Sequence, residues 1–574
     1  MLMGLGLKEA SPIPRRIVQQ TRGHGQGFIT RLMSPADLGQ ALKPFVFLYI
    51  FDADRAMLQA VERSGGMPIH PHSGVATVTV ITEGHARYDD PAIGAGEIAY
   101  GGVEWMRAGG GVWHGKEMPR ACTSRRGSGA TLHPVGAPRS ARRAREAFKM
   151  KLASYWHDTS KAFAGATRET LSGDFEVAVI GAGFTGLNAA RKLAKSGVKV
   201  ALIEAEHVGY GASGRNGGHL NSGHFASFGA AKAHFGEAKA RRFWRSYDDS
   251  IDMIEAIIAE EAIDCSFRRG GKLKLASKPS HVKGLQAMCE ELRREVDPSV
   301  EWLSRGDVRN ELGSEAFHGA VLSPKSAMMH MGRYANGMAE AAARHGATIW
   351  EHNPVRSCIR VSDGWRITSP TGALAARQVI LATDAYTSEN FDYYRRRMMP
   401  IASFIVVTRP LTAEEVAATL PGNRNYTNSL NIANYFRLTP DNRLLFGGRA
   451  KFSAASNQKT DARSGELLRK QMLDVFPQLA DVEIDYCWGG LVGCTQDRYP
   501  RAGTADGLIY GMGYSGHGAQ LSTLIGNLLA DIAMGRTDTN PIGGMDWNAV
   551  PLHTGKPWFL PMVGTYYRLK DMLA

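Results

Sequence analysis

Three glycines, Gly181, Gly183 and Gly186, have a spacing that could hold the phosphates of a dinucleotide. The first permits a tight turn, the second lets the backbone approach a pyrophosphate, and the third lets a helix pack closely on a strand. Glu204 follows about 20 residues later, where a carboxylate can accept hydrogen bonds from ribose hydroxyls and repel a 2′-phosphate. NAD and FAD both fit this pattern. The cofactor-binding residues that it predicts are Gly181, Gly183, Phe184, Thr185, Gly186, Glu204 and Ala205.

The segments around these glycines predict the elements that must position them. Val177–Ile180 is a continuous apolar run, which is typical of a parallel strand buried on both faces. Apolar residues then recur on one helical face from Leu187 to Ala194, and Gly197 is expected to end the helix. A second apolar run, KVALIEAE, carries Glu204. A glycine motif alone is weak evidence, but strand, glycines, helix, strand and acid in this order indicate a Rossmann-like unit.

The next segment, GYGASGRNGGHLNSG at 209–223, is rich in small residues and directly follows the second strand. Free backbone N–H groups in such a segment suit a chain that wraps phosphates and approaches a flat ring system. A flexible surface loop is the alternative. The cofactor contacts predicted here are Ser213, Gly214, Arg215, Asn216, Gly217 and Gly218.

These motifs resemble the FAD-dependent amine and amino-acid oxidoreductases of the D-amino-acid oxidase superfamily, above all the γ-glutamylputrescine oxidase branch, in which GxGASGRNGG is a hallmark. Three later segments follow in that family's order: RQVILATDAYT at 377–387, CWGGLVGCTQDRYPRAG at 487–503 and GLIYGMGYSGHGAQLSTLIGNLLADIAMGR at 507–536. The resemblance spans residues 152–574. It implies an α/β fold, with an FAD-binding Rossmann-like domain and a mixed-sheet substrate domain. It also implies hydride transfer from a small-molecule amine to the flavin, hydrolysis of the imine to an aldehyde, and reoxidation by oxygen or another electron acceptor.

The resemblance further implies residues around the flavin and the substrate. Backbone N–H groups of Gly513–Gly518, at a helix start, could face the electron-rich edge of a reduced flavin. Tyr435 could stack on the substrate and Arg437 could pair with its carboxylate, with ordinary cross-strand packing as an equal alternative. His330 corresponds to a position near the pocket, with a buried structural histidine as the alternative. Catalytic roles are expected for His517 and Tyr435, substrate contacts for His330, Tyr435 and Arg437, and further cofactor contacts for Val355, Thr383, Gly516, His517 and Gly518.

Two departures from the family concern the electron acceptor and the attachment of the cofactor. Sarcosine-oxidase-like members hold a lysine over the flavin to activate oxygen, and the matching strand here reads RLLFGGR at 443–449. Oxygen and other acceptors, such as a quinone or a carrier protein, therefore both stay open. Cys487 and Cys494 do not match the position of the linking thiol, so we expect noncovalent FAD.

Three histidines and an acid near the N-terminus form a second candidate site. His70 and His72 share one face of an extended segment, and His114 and Glu117 follow on another β-like run. Such a set could bind Fe(II) or another transition metal. With the neighbouring ITRLMSPADLG and PFVFLYIFDAD, these residues resemble the N-terminal cupin domain of pirin, in which the acid commonly stands two residues after the histidine rather than three.

The domain organisation follows from these resemblances. Residues 1–118 are expected to be a truncated pirin-like all-β segment, because the resemblance stops there and an unclosed barrel leaves strand edges exposed. Residues 119–150 hold seven arginines, with no acid between 120 and 145, and are expected to be a disordered linker. The enzyme proper is expected to begin near Met150, joined to a remnant by gene fusion or a frameshift. The remaining predicted parts are 151–540 for the flavoenzyme (FAD-binding 174–225, 345–390 and 487–540; substrate domain 226–344 and 391–486) and 541–574 for a C-terminal tail.

Composition limits the function classes. Much of the net charge of +13 lies in the arginine-rich linker, so we expect no nucleic-acid partner. The chain of 574 residues has no apolar run of about 18 residues, so no transmembrane segment is expected. Six scattered cysteines favour a cytoplasmic protein with reduced thiols. The alternatives to amine oxidation at FAD are an NAD-dependent dehydrogenase, a D-amino-acid or sarcosine-type enzyme, and a pirin-like metal-binding regulatory protein.

Overall fold

The structure, a computed structural model, describes the β-strands between residues 24 and 120 and residues 150–573 except 225, 449–461, 537–539, 552 and 556. The chain divides into two compact units, Met1–Gly136 and Ala137–Ala574. The strands of the first unit lie in sheets of two or three strands, and the second unit contains two sheets of eight strands each.

The described strands of the first unit pair antiparallel throughout, which confirms the all-β prediction for this region. The β4–β9 register places His70 opposite His114, and Glu117 lies outside the described residues. Strand β10 pairs with β6, so strand structure continues past residue 118, where the pirin-like segment was predicted to end. The strands are β1 His24–Gln26, β2 Ile29–Met33, β3 Leu48–Phe51, β4 His70–His72, β5 Val75–Val80, β6 His85–Asp90, β7 Gly94–Ala99, β8 Val103–Ala108, β9 Val112–His114 and β10 Met118–Arg120.

The second unit alternates strands with helices, as the sequence predicts. Its strands are β11 Asp174–Ile180, β12 Val200–Ile203, β13 His219–Leu220, β14 Arg268–Arg269, β15 Lys272–Leu275, β16 Glu301–Leu303, β17 Ala320–Ser323, β18 Ala327–Met328, β19 Thr348–Trp350, β20 Ser357–Val361, β21 Gly364–Ser369, β22 Gly372–Leu381, β23 Met399–Pro410, β24 Asn425–Asn428, β25 Tyr435–Leu438, β26 Arg443–Gly448, β27 Ile484–Cys494, β28 Arg501–Ala505 and β29 Leu508–Met512. Its α-helices are α1 Tyr155–Asp158, α2 Phe184–Lys195, α3 Phe228–Phe235, α4 Glu237–Glu261, α5 Pro279–Glu295, α6 Arg305–Glu311, α7 Met331–Arg344, α8 Asp392–Arg395, α9 Ala413–Thr419, α10 Ala462–Val475, α11 Gly518–Ala533 and α12 Leu560–Leu573.

The first large sheet contains the predicted Rossmann-like unit. Its order is β19-β12-β11-β22-β21-β20, with β29 beside β22 and β28 beside β29. Strands β19, β12, β11, β22 and β29 run parallel, and β11 and β12 are buried where they pair. Helix α2 connects β11 to β12, and Gly197, with a φ of 81°, follows its end as predicted. The parallel strands therefore bring several carboxyl ends to one edge of the sheet, where α/β proteins bind ligands.

The second large sheet is mixed and has two chemically different faces. Its order is β16-β17-β15-β24-β25-β26-β23-β27, and only β15 and β24 run parallel. On one face, Leu273, Tyr426 and Phe436 pack in a buried cluster with residues of α6 and α10. Because successive side chains of a strand alternate, their neighbours Lys274, Thr427 and Tyr435 point to the other face.

Helix α11 packs directly on α2 through a glycine. A Cβ added at Gly526 would lie 2.4 Å from the carbonyl oxygen of Thr185 and 2.7 Å from Cβ of Asn188. Both helices start at the same cavity, so this contact also sets how their N-termini are placed. Within the described part of the chain, no helix is both long and apolar enough to cross a bilayer.

Replacing Gly526 with alanine should therefore destabilise the fold. We expect Gly526→Ala to lower the free energy of unfolding by about 1–3 kcal/mol, because the added methyl overpacks a buried contact. Gly284→Ala is the matched control, since Gly284 is also helical and an added Cβ meets nothing within 4 Å. Alanine there should raise stability by up to about 1 kcal/mol through helix propensity. Thermal unfolding of both variants checks this, and equal melting temperatures would contradict it.

Candidate active site

A cavity of about 1040 Å³ lies between the first sheet and the polar face of the second. It is lined at the first sheet by the ends of β11, β12 and β22, and at the second sheet by residues such as Thr427 and Tyr435. This volume is at the upper end of the range of ligand pockets, about 300–1,000 Å³. The cavity is therefore large enough for an extended cofactor and a second small molecule.

The N-terminus of α2 opens into the cavity. Gly181 has a φ of 101°, and an added Cβ would lie 3.0 Å from the carbonyl oxygen of Ala382. A Cβ at Gly183 would lie 3.0 Å from Ser213 Oγ, which accepts the N–H of Phe184 at 2.9 Å. The first turn of α2 contains no acidic residue, so its positive end is free to attract a pyrophosphate.

Glu204 is held rigidly at the end of β12. Its Oε2 accepts the N–H of Ala182 at 2.7 Å and its Oε1 accepts the N–H of Glu206 at 3.0 Å. Burial raises the pKa of Glu204, and these backbone N–H groups oppose the rise. The carboxylate lines the cavity together with Ala205 and Val355, so it is placed where ribose hydroxyls could donate to it.

The glycine-rich loop at 209–218 is fixed by donors from outside it. Four consecutive carbonyl oxygens, from Gly214 to Gly217, each accept a hydrogen bond from a buried side chain elsewhere in the fold. In that order the donors are Ser154 Oγ at 2.7 Å, Trp488 Nε1 at 2.9 Å, Trp156 Nε1 at 2.7 Å and Arg437 Nε at 2.9 Å. The path of this loop is therefore determined by α1 and by two strands of the second sheet.

Two of the residues expected to contact substrate lie outside the cavity lining. Arg437 is 1% exposed, and it donates to the carbonyl oxygens of Gly217 and Met329. His330 is also 1% exposed and accepts the N–H of Arg333 at the start of α7. The structure thus uses Arg437 to hold the loop and His330 to cap a helix. Of the three expected substrate residues, it brings only Tyr435 into the cavity.

Most of the expected cofactor residues line the cavity, and three glycines instead make close contacts behind it. An added Cβ would lie 1.9 Å from Gly181 O at Gly186, 2.0 Å from His157 Nε2 at Gly214, and 2.3 Å from Arg437 Nη2 at Gly218. The expected residues that line the cavity are Gly181, Gly183, Phe184, Thr185, Glu204, Ala205, Ser213, Arg215, Asn216, Gly217, Val355, Thr383, Tyr435, Gly516, His517 and Gly518.

Tyr435 lies in a slot made by two glycines. An added Cβ would lie 2.3 Å from its ring at Gly447 and 2.8 Å from its ring at Gly217. Its hydroxyl is 3.3 Å from Ser403 Oγ. Any side chain at these glycines would displace the ring, so the sequence around Tyr435 is adapted to position it inside the cavity.

His517 is the N-cap residue of α11, whose first turn contains no acidic residue. Gly516 precedes it with a φ of 96°, so the turn into the helix needs a glycine. Burial, with the nearby His224 and Lys272, holds the pKa of His517 well below its usual range. The imidazole is therefore neutral at physiological pH, and the helix N-terminus supplies the positive potential at this end.

Several cavity residues were not identified from the sequence. Asp384 has a φ of 43°, accepts the N–H of Gly513 at 2.7 Å, and has its pKa raised by burial. His219 is neutral because burial lowers its pKa to about 3. Lys272 and Lys274 also line the cavity, and their only sequence signal is the alternating KLKL of β15.

The residues of the cavity fit FAD. Two helix N-termini without acids, α2 and α11, reach the same cavity, and glycines occupy the positions where a Cβ would narrow it. The metal site expected at His70, His72 and His114 lies in described strands whose side chains are not described, and Glu117 lies outside the described residues. That site stays a prediction.

Known proteins match the chain in two separate stretches. The family described as FAD dependent oxidoreductase (DAO) matches residues 176–532, and the family described as Pirin matches residues 28–130. The probable oxidoreductase OrdL of Haemophilus influenzae is 32% identical over 63% of this chain and 83% of its own length. The gamma-glutamylputrescine oxidoreductase of Escherichia coli is 30% identical over 70% of this chain and 93% of its own length.

Solved structures support the fold. Glycine oxidase from Geobacillus kaustophilus aligns with a TM-score of 0.56 at 22% identity, over 65% of this chain and 98% of that one. The predicted α/β fold is thereby confirmed. A pirin-like protein of Caulobacter vibrioides is 39% identical over 109 residues, 19% of this chain and 37% of that protein. The pirin match reaches residue 130, beyond residue 118, where the resemblance was predicted to stop.

The buried histidines predict a loss of stability in acid. Burial lowers the pKa of His224 to about 4 and that of His330 to about 3, whereas both titrate near 6.5 when unfolded. The unfolded chain therefore binds more protons below about pH 6.5, and stability falls as the pH drops from there toward 4. At pH 5 each histidine should cost about 2 kcal/mol relative to pH 7.

Thermal unfolding at about pH 5, 6 and 7 measures this loss. His330→Asn is the control, because asparagine can still cap α7 but does not titrate. The variant should show a shallower loss of stability in acid. A melting temperature that is the same at pH 5 and 7, or an equal slope in the variant, would contradict the assignment.

Proposed function

Because the chain belongs to the family of FAD-dependent oxidoreductases that act on amines, we propose that it binds FAD noncovalently in the cavity and oxidises a small amine similar to γ-glutamylputrescine. The observation that carries the proposal is the single cavity reached by the N-termini of α2 and α11 and by Tyr435. It offers positive potential at two separate places and an aromatic ring on the opposite wall. These are the requirements of a long dinucleotide with a second molecule beside one end.

Each part of the cavity would have its own task in holding FAD. The backbone at Gly181, Gly183 and the start of α2 would bind the pyrophosphate, and Glu204 would accept hydrogen bonds from ribose. The N-terminus of α11 would stabilise negative charge on the ring system. The chemistry supplied by bound FAD is the uptake of a hydride from the carbon next to the amine nitrogen.

The residues around Tyr435 would prepare the amine for that chemistry. A hydride leaves most readily when the nitrogen lone pair is free, so the amine must bind without its extra proton. His219, His224 and His517 would be neutral at physiological pH, because burial lowers the pKa of each. Water then hydrolyses the product imine to an aldehyde.

The positions of two cysteines bear on whether the flavin is bonded covalently to the protein. Cys487 is buried in the core cluster on the apolar face of the second sheet, whereas Cys494 lines the cavity. We propose that neither is bonded to the flavin, since the position of the linking thiol in related enzymes is not matched here. Flavin that stays with acid-precipitated protein, and is lost from Cys494→Ala, would contradict this.

We also propose a transition metal, Fe(II) by resemblance to pirin, at His70, His72, His114 and Glu117 in the first unit. The β4–β9 register supports this, because it makes His70 and His114 direct cross-strand neighbours. Imidazoles are suitable ligands for iron. Metal analysis of the full chain and of His70→Ala tests it, and equal iron contents would contradict it.

The proposed reaction predicts a spectroscopic response of the purified holoenzyme. Mixed without oxygen, γ-glutamylputrescine should bleach the visible flavin absorbance faster than sarcosine, glycine or D-alanine. Admission of air then identifies the class of electron acceptor. Rapid recovery of the flavin absorbance indicates oxygen, and slow recovery indicates a separate carrier. A protein that is bleached by none of these amines, or that is reduced by NADH instead, would contradict the proposal.

A further inference from the structure

The cavity continues beyond Tyr435 along one row of the second sheet. Lys274 pairs with Thr427 across β15 and β24, and Thr427 pairs with Tyr435 across β24 and β25. All three residues line the cavity. Adjacent strands lie about 4.8 Å apart, so the backbone of Lys274 is about 10 Å from that of Tyr435. A substrate whose amine lies at Tyr435 can therefore extend along this row toward Lys274.

Lys272 joins Lys274 on the same face, because the two residues are two apart on β15. The ammonium group of Lys272 donates to the carbonyl oxygen of Ser222 at 2.9 Å. Lys274 Nζ is 3.9 Å from the sulfur of Met288, which is a weak acceptor. Among the described residues, neither lysine forms an ion pair with a carboxylate. Two positive charges thus face the same part of the cavity without a bound counter-ion from the protein.

The acids at this end of the cavity offset these charges only in part, because Asp248 raises the pKa of Lys272 by less than burial and Lys274 lower it. Asp248 and Asp297 also line the cavity, and both lie near a third lysine, Lys325, at 3.8 and 3.4 Å. Among the described residues, neither of these carboxylates forms an ion pair with Lys272 or Lys274. Burial lowers the pKa of Lys272 to about 8, which reflects the cost of keeping its charge there. A negatively charged group on a bound molecule would offset that cost.

We propose that Lys272 and Lys274 bind a carboxylate at the end of the substrate remote from the reacting amine. This inference rests on the proposed function, since it takes Tyr435 as the reacting end. It restricts the substrate class to amines with a distal carboxylate, such as a diamine linked by an amide bond to an acidic amino acid. Asp248, which lines the same cavity, could receive an ammonium group beside that carboxylate.

Three synthetic amines separate the contributions of the distal groups. γ-Glutamylputrescine carries both the carboxylate and the α-amino group, N-glutarylputrescine keeps only the carboxylate, and N-pentanoylputrescine has neither. The reacting amine and the chain length are the same in all three. A charge-assisted hydrogen bond in a protein is worth about 1.5–3 kcal/mol, so kcat/KM for N-glutarylputrescine should exceed that for N-pentanoylputrescine by about 10- to 100-fold.

The lysine variants should remove this preference. Lys272→Met and Lys274→Met should each reduce the ratio of the two kcat/KM values, and the double variant should bring it close to one. Lys283→Met is the matched control, because Lys283 is exposed on α5 and does not line the cavity. In anaerobic rapid mixing the variants should weaken substrate binding and leave the limiting rate of flavin reduction nearly unchanged, since the lysines are remote from the reacting carbon. Flavin content and melting temperature check that each variant is folded.

The possible results separate a failure of the lysine site from a failure of the proposed amine oxidation. A preference for the carboxylate that survives in the double variant overturns the anion site while amine oxidation stands. Slower reoxidation by oxygen with an unchanged substrate preference also overturns it, because the lysines would then serve the acceptor. If none of the amines reduces the flavin, the proposed function fails. In that case, isothermal titration of the oxidised holoenzyme with N-glutarylputrescine tests the lysine site alone. Binding that is lost in the double variant supports the site. Binding that the double variant retains, or that neither protein shows, contradicts it.

Discussion

The active site depends on four hydrogen bonds to the backbone of one loop. The carbonyl oxygens of Gly214–Gly217 are held by Ser154, Trp488, Trp156 and Arg437, which come from three distant parts of the chain. Each bond contributes only about 1 kcal/mol, but a buried donor left without its partner costs about 1–3 kcal/mol. The loop therefore cannot leave this path without leaving several buried donors unsatisfied. Since it also lies along the cavity, the same bonds define where a cofactor can extend.

The two sheets line different parts of the cavity with different chemical groups. The first presents strand ends and a helix N-terminus, which suit phosphate and ribose, and the second presents one polar face to the cavity. Tyr435 and Lys274 share that face because Phe436 and Leu273 pack in the core behind it. A slip of one residue in either strand would bury the polar groups and expose the apolar ones. The packing that stabilises the second sheet thus also selects which side chains line the cavity.

The sequence was informative where function depends on local spacing and weak where it depends on tertiary packing. Gly181, Gly183, Glu204 and the Gly516–Gly518 turn each follow from a short motif, and the fold brings them to one cavity. Arg437 shares a face with Tyr435, but a close approach to Gly217 and Gly218 turns its guanidinium into a structural donor, which no local pattern reveals. The sequence does not predict Lys272 and Lys274 as cavity residues, because alternating Lys and Leu is typical of any half-exposed strand. The predicted tail also contains α12, whose Leu560 and Tyr567 line the cavity.

We infer that one FAD extends across the cavity from the N-terminus of α2 to that of α11, with its ring system facing Tyr435. A crystal structure of the full chain grown with FAD tests this most directly. We predict continuous electron density from Gly183 past the Gly214–Gly217 loop to Gly516–Gly518, with density for the isoalloxazine ring beside Tyr435. Density for the ring elsewhere, or a cavity in which no cofactor binds, would contradict this placement of FAD.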